Sequence, residues 1–482
     1  MSAPNCLRCL TRPSTAVLRH SIAVPNAVAS WTASAPFSTT ATAAAGPTKG
    51  ARPTSQPKRM ETGHIRSGRR VTISKSKHRK QAGARGKTPL PGERKAYRKK
   101  IQLSNSNALH VHWLSDLDAK HMLDAANVTK VMGLPDALVD QLRAVEAFKP
   151  KQTWGFFRKP STLIRPETVD LVTRMQQAAT DKQTLKLVLD GDKLTGKSIL
   201  MLQAMSHAFF NEWIVIHIPE AQELTTAVTE YAPIPGTDPV QYMQQNYALK
   251  LIQNIRKANE KVLVRMATAY SHPEIPQQMP IGSSLMQLAN SAKEPENAWT
   301  IFMALWKELT ANTRGRVPIL FALDGLSHIM KVSDYRSPAF ELIHSHDLAL
   351  VRLFTDCLGG NISLPYGGAI LAATTRNNVQ RSLSMELAIA QREAEQLGAE
   401  KPLRQAYIRG YDHRVEAAMR AAQVIKVKGI NKLEARSLME YWAASGVLRT
   451  TVDELSVSEK WMLSGNGVLG EMERASLLTM RI

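Results

Sequence analysis

Three things are scarce in this sequence. Cysteine occurs three times in 482 residues, at Cys6, Cys9 and Cys357. So few thiols exclude a disulfide scaffold and fit a compartment that forms no structural disulfides. Cys6 and Cys9 stand as C-L-R-C, but no second pair or histidine set accompanies them. They read as chance spacing inside a removable leader rather than as a zinc site. Apolar runs are short as well. No stretch reaches about eighteen uninterrupted apolar residues, so no helical membrane span is expected.

Acids are missing where bases are dense. Residues 1–60 contain no Asp or Glu, are rich in Ala, Ser and Thr, and carry Arg8, Arg12 and Arg19. That is the composition of a mitochondrial presequence, with cleavage expected near "APFSTTATA". Residues 58–100 then hold sixteen Lys/Arg against two acids, Glu61 and Glu93. With few apolar residues to bury, this stretch predicts a basic arm over 61–100, disordered alone and ordered on RNA phosphates. The first hundred residues carry a formal +19, whereas the other 382 hold 41 basic and 39 acidic side chains. A basic arm on a near-neutral body points to a polyanionic partner reached by the arm.

From about residue 101 the chain turns globular. Residues 101–180 read as short helices around Gly133 and Pro135, an extended proline-bearing segment, and a helix starting near Pro166–Glu167. Between 181 and 403, apolar runs at 185–190, 213–218, 317–324 and 368–375 alternate with amphipathic stretches at 197–210, 239–258 and 298–310. Apolar strands separated by helices predict an α/β fold, a parallel sheet with flanking helices. Residues 404–482 read as a small, mostly helical lobe, with apolar Leu433, Leu438, Tyr441 and Trp442 on one helix that stops at Gly446.

The stretch "LVLDGDKLTGKSIL" carries the chemistry. Gly191, Asp192, Lys193, Leu194, Thr195, Gly196, Lys197 and Ser198 match G-x-x-x-x-G-K-[ST] between a predicted strand and a predicted helix. Glycines let backbone N–H groups turn inward around phosphates, Lys197 adds an ammonium, and the Ser198 hydroxyl is placed for Mg²⁺. The following helix points its positive end at the anion. Asp192 and Lys193 put charge nearby, although the pattern does not require them. A second apolar run, "ILFALDG", ends in Asp324, the expected magnesium-orienting carboxylate. The next residue is Gly325, where vigorous ring-forming ATPases place a water-polarising Glu, so tight binding with slow or absent hydrolysis is expected. Thr374, Thr375, Arg376 and Asn377 close a third run, as a terminal-phosphate sensor or as a polar loop.

Other patterns are set aside. Gly465–Gly470 spells G-x-G-x-x-G, but no apolar strand enters it and twelve residues remain after it, so it reads as a surface turn. Asn431-Lys432-Leu433-Glu434 approximates a guanine-reading motif and reads instead as a helix capping box. His344 and His346 flank no acidic ligand set and read as packed or surface residues.

Taken together, "AFKPKQTWGFFRKPSTLIR", "GDKLTGKS", "WIVIHIPEAQEL", "LFALDG", "KLEARSLMEYWAASGVL" and "EKWMLSGNG" resemble the death-associated protein three family of mitochondrial small-subunit ribosomal proteins. The resemblance spans about residues 103–482, and the two C-terminal blocks are its most particular part. It implies a P-loop NTPase fold of the AAA+ kind, a bound guanine nucleotide (GTP or GDP, with ATP the alternative) and Mg²⁺. It also implies a place in the head of the small subunit near the bridge to the large one, among mitochondrial rRNA and neighbouring ribosomal proteins. The phosphate-loop roles fall on Gly191, Gly196, Lys197 and Ser198, and the metal role on Asp324; no motif places the base-reading contacts. A structural ribosomal protein is therefore expected, with a free mitochondrial NTPase, a motor or chaperone, as the rival.

Overall fold

The computed structural model describes residues 101–478, apart from 378, 380, 405, 406, 408 and 409, together with 65–66 and 69–70. The expected leader over 1–60, with Cys6 and Cys9, lies outside the described residues, and so does most of the arm over 61–100. Within the arm, Ile65–Arg66 pairs antiparallel with Arg69–Arg70, a short ladder that composition did not suggest.

Five parallel strands form the central sheet: β1 (Thr184–Asp190), β2 (Ile214–Ile218), β3 (Ile319–Asp324), β4 (Gly368–Ala373) and β5 (Gln423–Lys426). Their spatial order is β5-β1-β4-β3-β2. The first four are the apolar runs of the sequence, and β3 and β4 are buried along their whole length. Such runs suit parallel strands covered on both sides. β5 is a strand within the segment after residue 404 that reads as mostly helical. It offers only Val424 and Ile425 between polar residues and sits at the sheet edge, too short for a periodic signal.

Side chains alternate between two cores, as the period of a strand requires. Leu187, Leu189, Leu320, Ala322, Leu371 and Ile425 face α1 (Pro166–Thr180), α2 (Lys197–Phe210) and the segment from Ile101 to Ile164. Val188, Phe321, Leu323, Ile370 and Val424 face α3 (Gln245–Ala258), α4 (Ala298–Leu309), α5 (Ala349–Gly359) and α6 (Leu383–Leu397). α3 starts later than the apolar pattern at Pro239 suggested, because Tyr242–Met243 is drawn into a two-residue ladder with Ala232–Pro233.

A third core joins the chain's far parts. Ile430, Met439, Tyr441 and Trp442, on and just before α7 (Lys432–Ala444), pack with Val457 of α8 (Glu454–Leu463) and Met472 of α9 (Leu469–Glu473). Val111, Val131, Phe157 and Leu163 from the N-terminal segment complete it. β1 and β4 are neighbours, yet α2 follows β1 onto one face and α6 follows β4 onto the other. In open α/β sheets, the crevice at the carboxyl ends of such a strand pair is where ligands bind.

Candidate nucleotide-binding site

The loop Gly191–Gly196 leaves the carboxyl end of β1 and runs into α2 at Lys197. Its two glycines are required by space and by backbone conformation. A Cβ on Gly191 would lie 2.3 Å from the Val427 carbonyl oxygen, and Gly196 has φ +100°, a left-handed conformation. Leu194 also takes a left-handed φ of 65°, a strained choice for a branched side chain. Among the described residues, the amides of Asp192, Lys193, Leu194, Thr195 and Gly196 donate to no protein acceptor. Consecutive free amides beside a helix N-terminus make an anion cradle. The Lys197 ammonium stands inside this loop, donating to the carbonyls of Gly191 (2.8 Å) and Asp192 (2.6 Å). Burial pushes its pKa below the usual lysine range, while Asp190 and Asp324 pull it back up. These residues fit a polyphosphate. Asp192 and Lys193 are exposed on the loop's outer side.

Ser198 and Asp324, 126 residues apart in sequence, are brought together: Ser198 Oγ donates to Asp324 Oδ2 at 2.7 Å. β4 lies between β1 and β3, and α2 carries Ser198 across that gap. Asp324 is buried at the end of β3. Burial resists its ionisation, but the Lys149 ammonium and the Ser198 hydroxyl outweigh this and hold the carboxyl below the usual aspartate range. A hydroxyl and a carboxylate side by side next to an anion cradle are the hard oxygen donors that magnesium takes.

Thr374, just past β4, donates to Asp190 Oδ1 at 2.8 Å. Arg376 reaches Asp192 at 3.2 Å and Asp190 at 3.7 Å. The main chain of Thr375 is tied to the Ser327 hydroxyl in both directions. This strand end therefore braces the phosphate loop from the side. Gly325 takes φ +96° next to Asp324, so a side chain there is strained, and His328 stands 3.3 Å from where its Cβ would be. Burial lowers the His328 pKa to about 4, leaving a neutral imidazole at physiological pH.

Both ends of the body close over the loop, which no motif revealed. Arg165, buried at the start of α1, donates to the Thr195 carbonyl (3.1 Å), the Lys428 carbonyl (2.9 Å) and Glu167 (2.9 Å), with Glu434 at 4.0 Å. From the C-terminal side, the Gly470 amide donates to the Leu194 carbonyl at 3.0 Å, and Leu469 packs 3.2 Å from where a Gly196 Cβ would lie. Thr153 donates to Glu473, a carboxyl that burial pushes up to about 7 against the pull of Arg474. The G-x-G-x-x-G stretch is thus not simply a surface turn. Gly465 and Asn466 are exposed, whereas Gly467 is buried and Gly470 presses on the phosphate loop.

The other patterns find their places. Asn431 and Glu434 form the capping box of α7, with bonds of 2.7 and 2.8 Å. His344 pairs with Asp412 at 2.7 Å, an acid the local sequence did not offer. His346 is buried, with its pKa lowered to about 3 by burial and by His344. No cluster of three or more His, Cys, Asp or Glu side chains placed to hold a metal ion occurs among the described residues. Cys357 is a buried thiol, pushed up to about 12 by burial and Asp356, and is therefore inert. No helix among the described residues is long and apolar enough to cross a membrane.

Two comparisons match this chain. The sequence profile described as "Mitochondrial ribosomal death-associated protein 3" matches residues 162–475, which takes in the sheet, the phosphate loop and most of the C-terminal lobe. A protein of Neurospora crassa named "Small ribosomal subunit protein mS29" is 57% identical over 485 residues, covering all of both chains. The chain belongs to the mitochondrial ribosomal death-associated protein 3 family.

Proposed function

We propose that this protein grips a purine nucleotide as a permanent brace while it serves in the small subunit of the mitochondrial ribosome. Its family is one of mitochondrial ribosomal proteins, so it works in the mitochondrial matrix as a small-subunit component. The nucleotide is the finer part of the reading. One observation carries it: an amide-lined loop around Lys197 stands beside a Ser198–Asp324 pair at a sheet switch point. The strand order β5-β1-β4-β3-β2, with one strand between the loop strand and the Asp324 strand, supports a P-loop fold of the AAA+ kind.

The loop amides and Lys197 would hold the phosphates of GTP or GDP, with ATP the alternative, and Ser198 and Asp324 would hold Mg²⁺. The metal supplies charge neutralisation when bound. The protein residues bind and orient. No acid follows Asp324 to activate water, and the Gly325 backbone resists a side chain there. This favours a holder over a motor. A ligand that binds only the folded chain stabilises it by mass action. The basic arm over 61–100 is the rRNA-contacting part of this reading.

Mass spectrometry of nucleotide released from the denatured native particle should detect about one guanine nucleotide per chain. In the purified protein, Lys197→Ala should weaken binding of fluorescent GDP by about a hundredfold, the scale of a lost charge-assisted phosphate contact. A native chain that releases no nucleotide, and a Lys197→Ala chain that melts as the wild type does, would sink the brace.

A further inference from the structure

Lys149 is unassigned by the phosphate-loop pattern, yet its ammonium is ion-paired with Asp324 Oδ2, the same oxygen that accepts the Ser198 hydroxyl. The segment that delivers it is firmly anchored. Phe148 and Trp154 are buried on either side and meet edge to face at 5.4 Å. Gln152 Oε1 accepts from the Lys149 amide (2.8 Å) and from Trp154 Nε1 (2.7 Å), and the Gln152 amide returns to the Lys149 carbonyl at 3.2 Å. Lys149 is thus aimed by a closed turn between two aromatic anchors, and ordering its stem loses less entropy than for an unsupported surface lysine.

Resting on the nucleotide reading above, we propose that Lys149 is a tethered competitor of magnesium at Asp324, so that the site holds a polyphosphate with little dependence on the metal. A magnesium ion taking Ser198 and Asp324 needs their oxygen lone pairs at close range in near-octahedral geometry. The ammonium already neutralises one of those oxygens, and two cations on one carboxylate repel. Metal binding therefore has to displace Lys149. By linkage, Lys149 weakens the metal as much as the metal weakens the Lys149–Asp324 pair. In place of the ion, the side chain supplies a second positive charge beside Lys197 at the carboxyl end of the sheet.

The test is a titration of the full chain, first freed of any bound nucleotide, with mant-GDP, in magnesium and in EDTA, for the wild type, Lys149→Met and Lys149→Arg. Removing magnesium should weaken wild-type binding by less than about tenfold and Lys149→Met binding by about a hundredfold or more. Lys149→Arg keeps the charge and should behave as the wild type, which separates loss of charge from a damaged fold. Equal metal dependence in all three chains, or a wild type that binds mant-GDP only with magnesium, overturns the competitor and leaves the nucleotide reading standing. No binding by the wild type freed of its own nucleotide, in either buffer, overturns both.

Discussion

Two glycine-rich loops of similar length meet in this molecule, and they serve opposite ends. Gly191–Gly196 follows a buried strand and opens a fourteen-residue helix, and its amides from Asp192 to Gly196 find no acceptor among the described residues. Gly465–Gly470 links two helices of the C-terminal lobe and ends in the first turn of the second, and its amides go to the chain itself: Gly465 to Met462, Gly467 to Trp461, Gly470 to Leu194. A loop becomes an anion site through amides left open by the strand and helix around it. A loop whose amides are already paired is a fastener. Here the fastener is applied to the loop whose amides are open.

That contrast can be broken most forcefully at Arg165, which ties the phosphate loop to the chain after β5 and lies beside Glu434. Arg165→Ala removes a buried charge and leaves Glu434 without its neighbour. It should destabilise the fold by about 3–5 kcal/mol in urea unfolding. A loss below about 1 kcal/mol would mean that the loop holds its shape unaided.

Gly467→Ala sharpens the comparison from the other side. The added Cβ would meet the Ile430 carbonyl oxygen at 2.1 Å and Trp461 Nε1 at 2.5 Å, at φ +87°. A loss of roughly 2–3 kcal/mol is expected, with mant-GDP affinity of the folded protein within about threefold of wild type. A large affinity change without loss of stability would make the second loop part of the binding site itself.

Glu473 gives the smallest effect. Its folded pKa, pushed up to about 7 by burial, lies above that of an unfolded glutamate. The folded chain therefore holds the proton more tightly, and stability rises as pH falls from above 7 towards about 4.5. Glu473→Gln should melt roughly 2–4 °C above wild type at pH 8, with the gap closing near pH 4.5. A gap of the same size at both pH values would show that ionisation is not its cause.

Much of this was legible in the sequence for physical reasons. β3 and β4 are apolar runs because they are buried along their whole length, β1 joins them from Leu187 onward, and the phosphate loop is contiguous, so spacing alone exposes it. β5 was not legible, because two apolar residues in a four-residue edge strand give no period. Ser198 and Asp324 could be paired in advance because each ends or follows a recognisable strand. Lys149, Arg165 and Gly470 could not, since each reaches the site across 25 or more residues through a fold that local pattern does not encode. The capping box at Asn431 was legible as structure, because both of its bonds are local.

The fastening of the phosphate loop by Gly470 has a temporal side. Gly470 comes far after Gly191 in the chain, so the loop begun at residue 191 stays unfastened until synthesis has passed through the C-terminal lobe. A truncated product ending before Leu469 carries every residue of the G-x-x-x-x-G-K-S signature and still lacks the piece that shuts it. On the proposed nucleotide reading, retention of the ligand would report that the C-terminal lobe has docked on the loop.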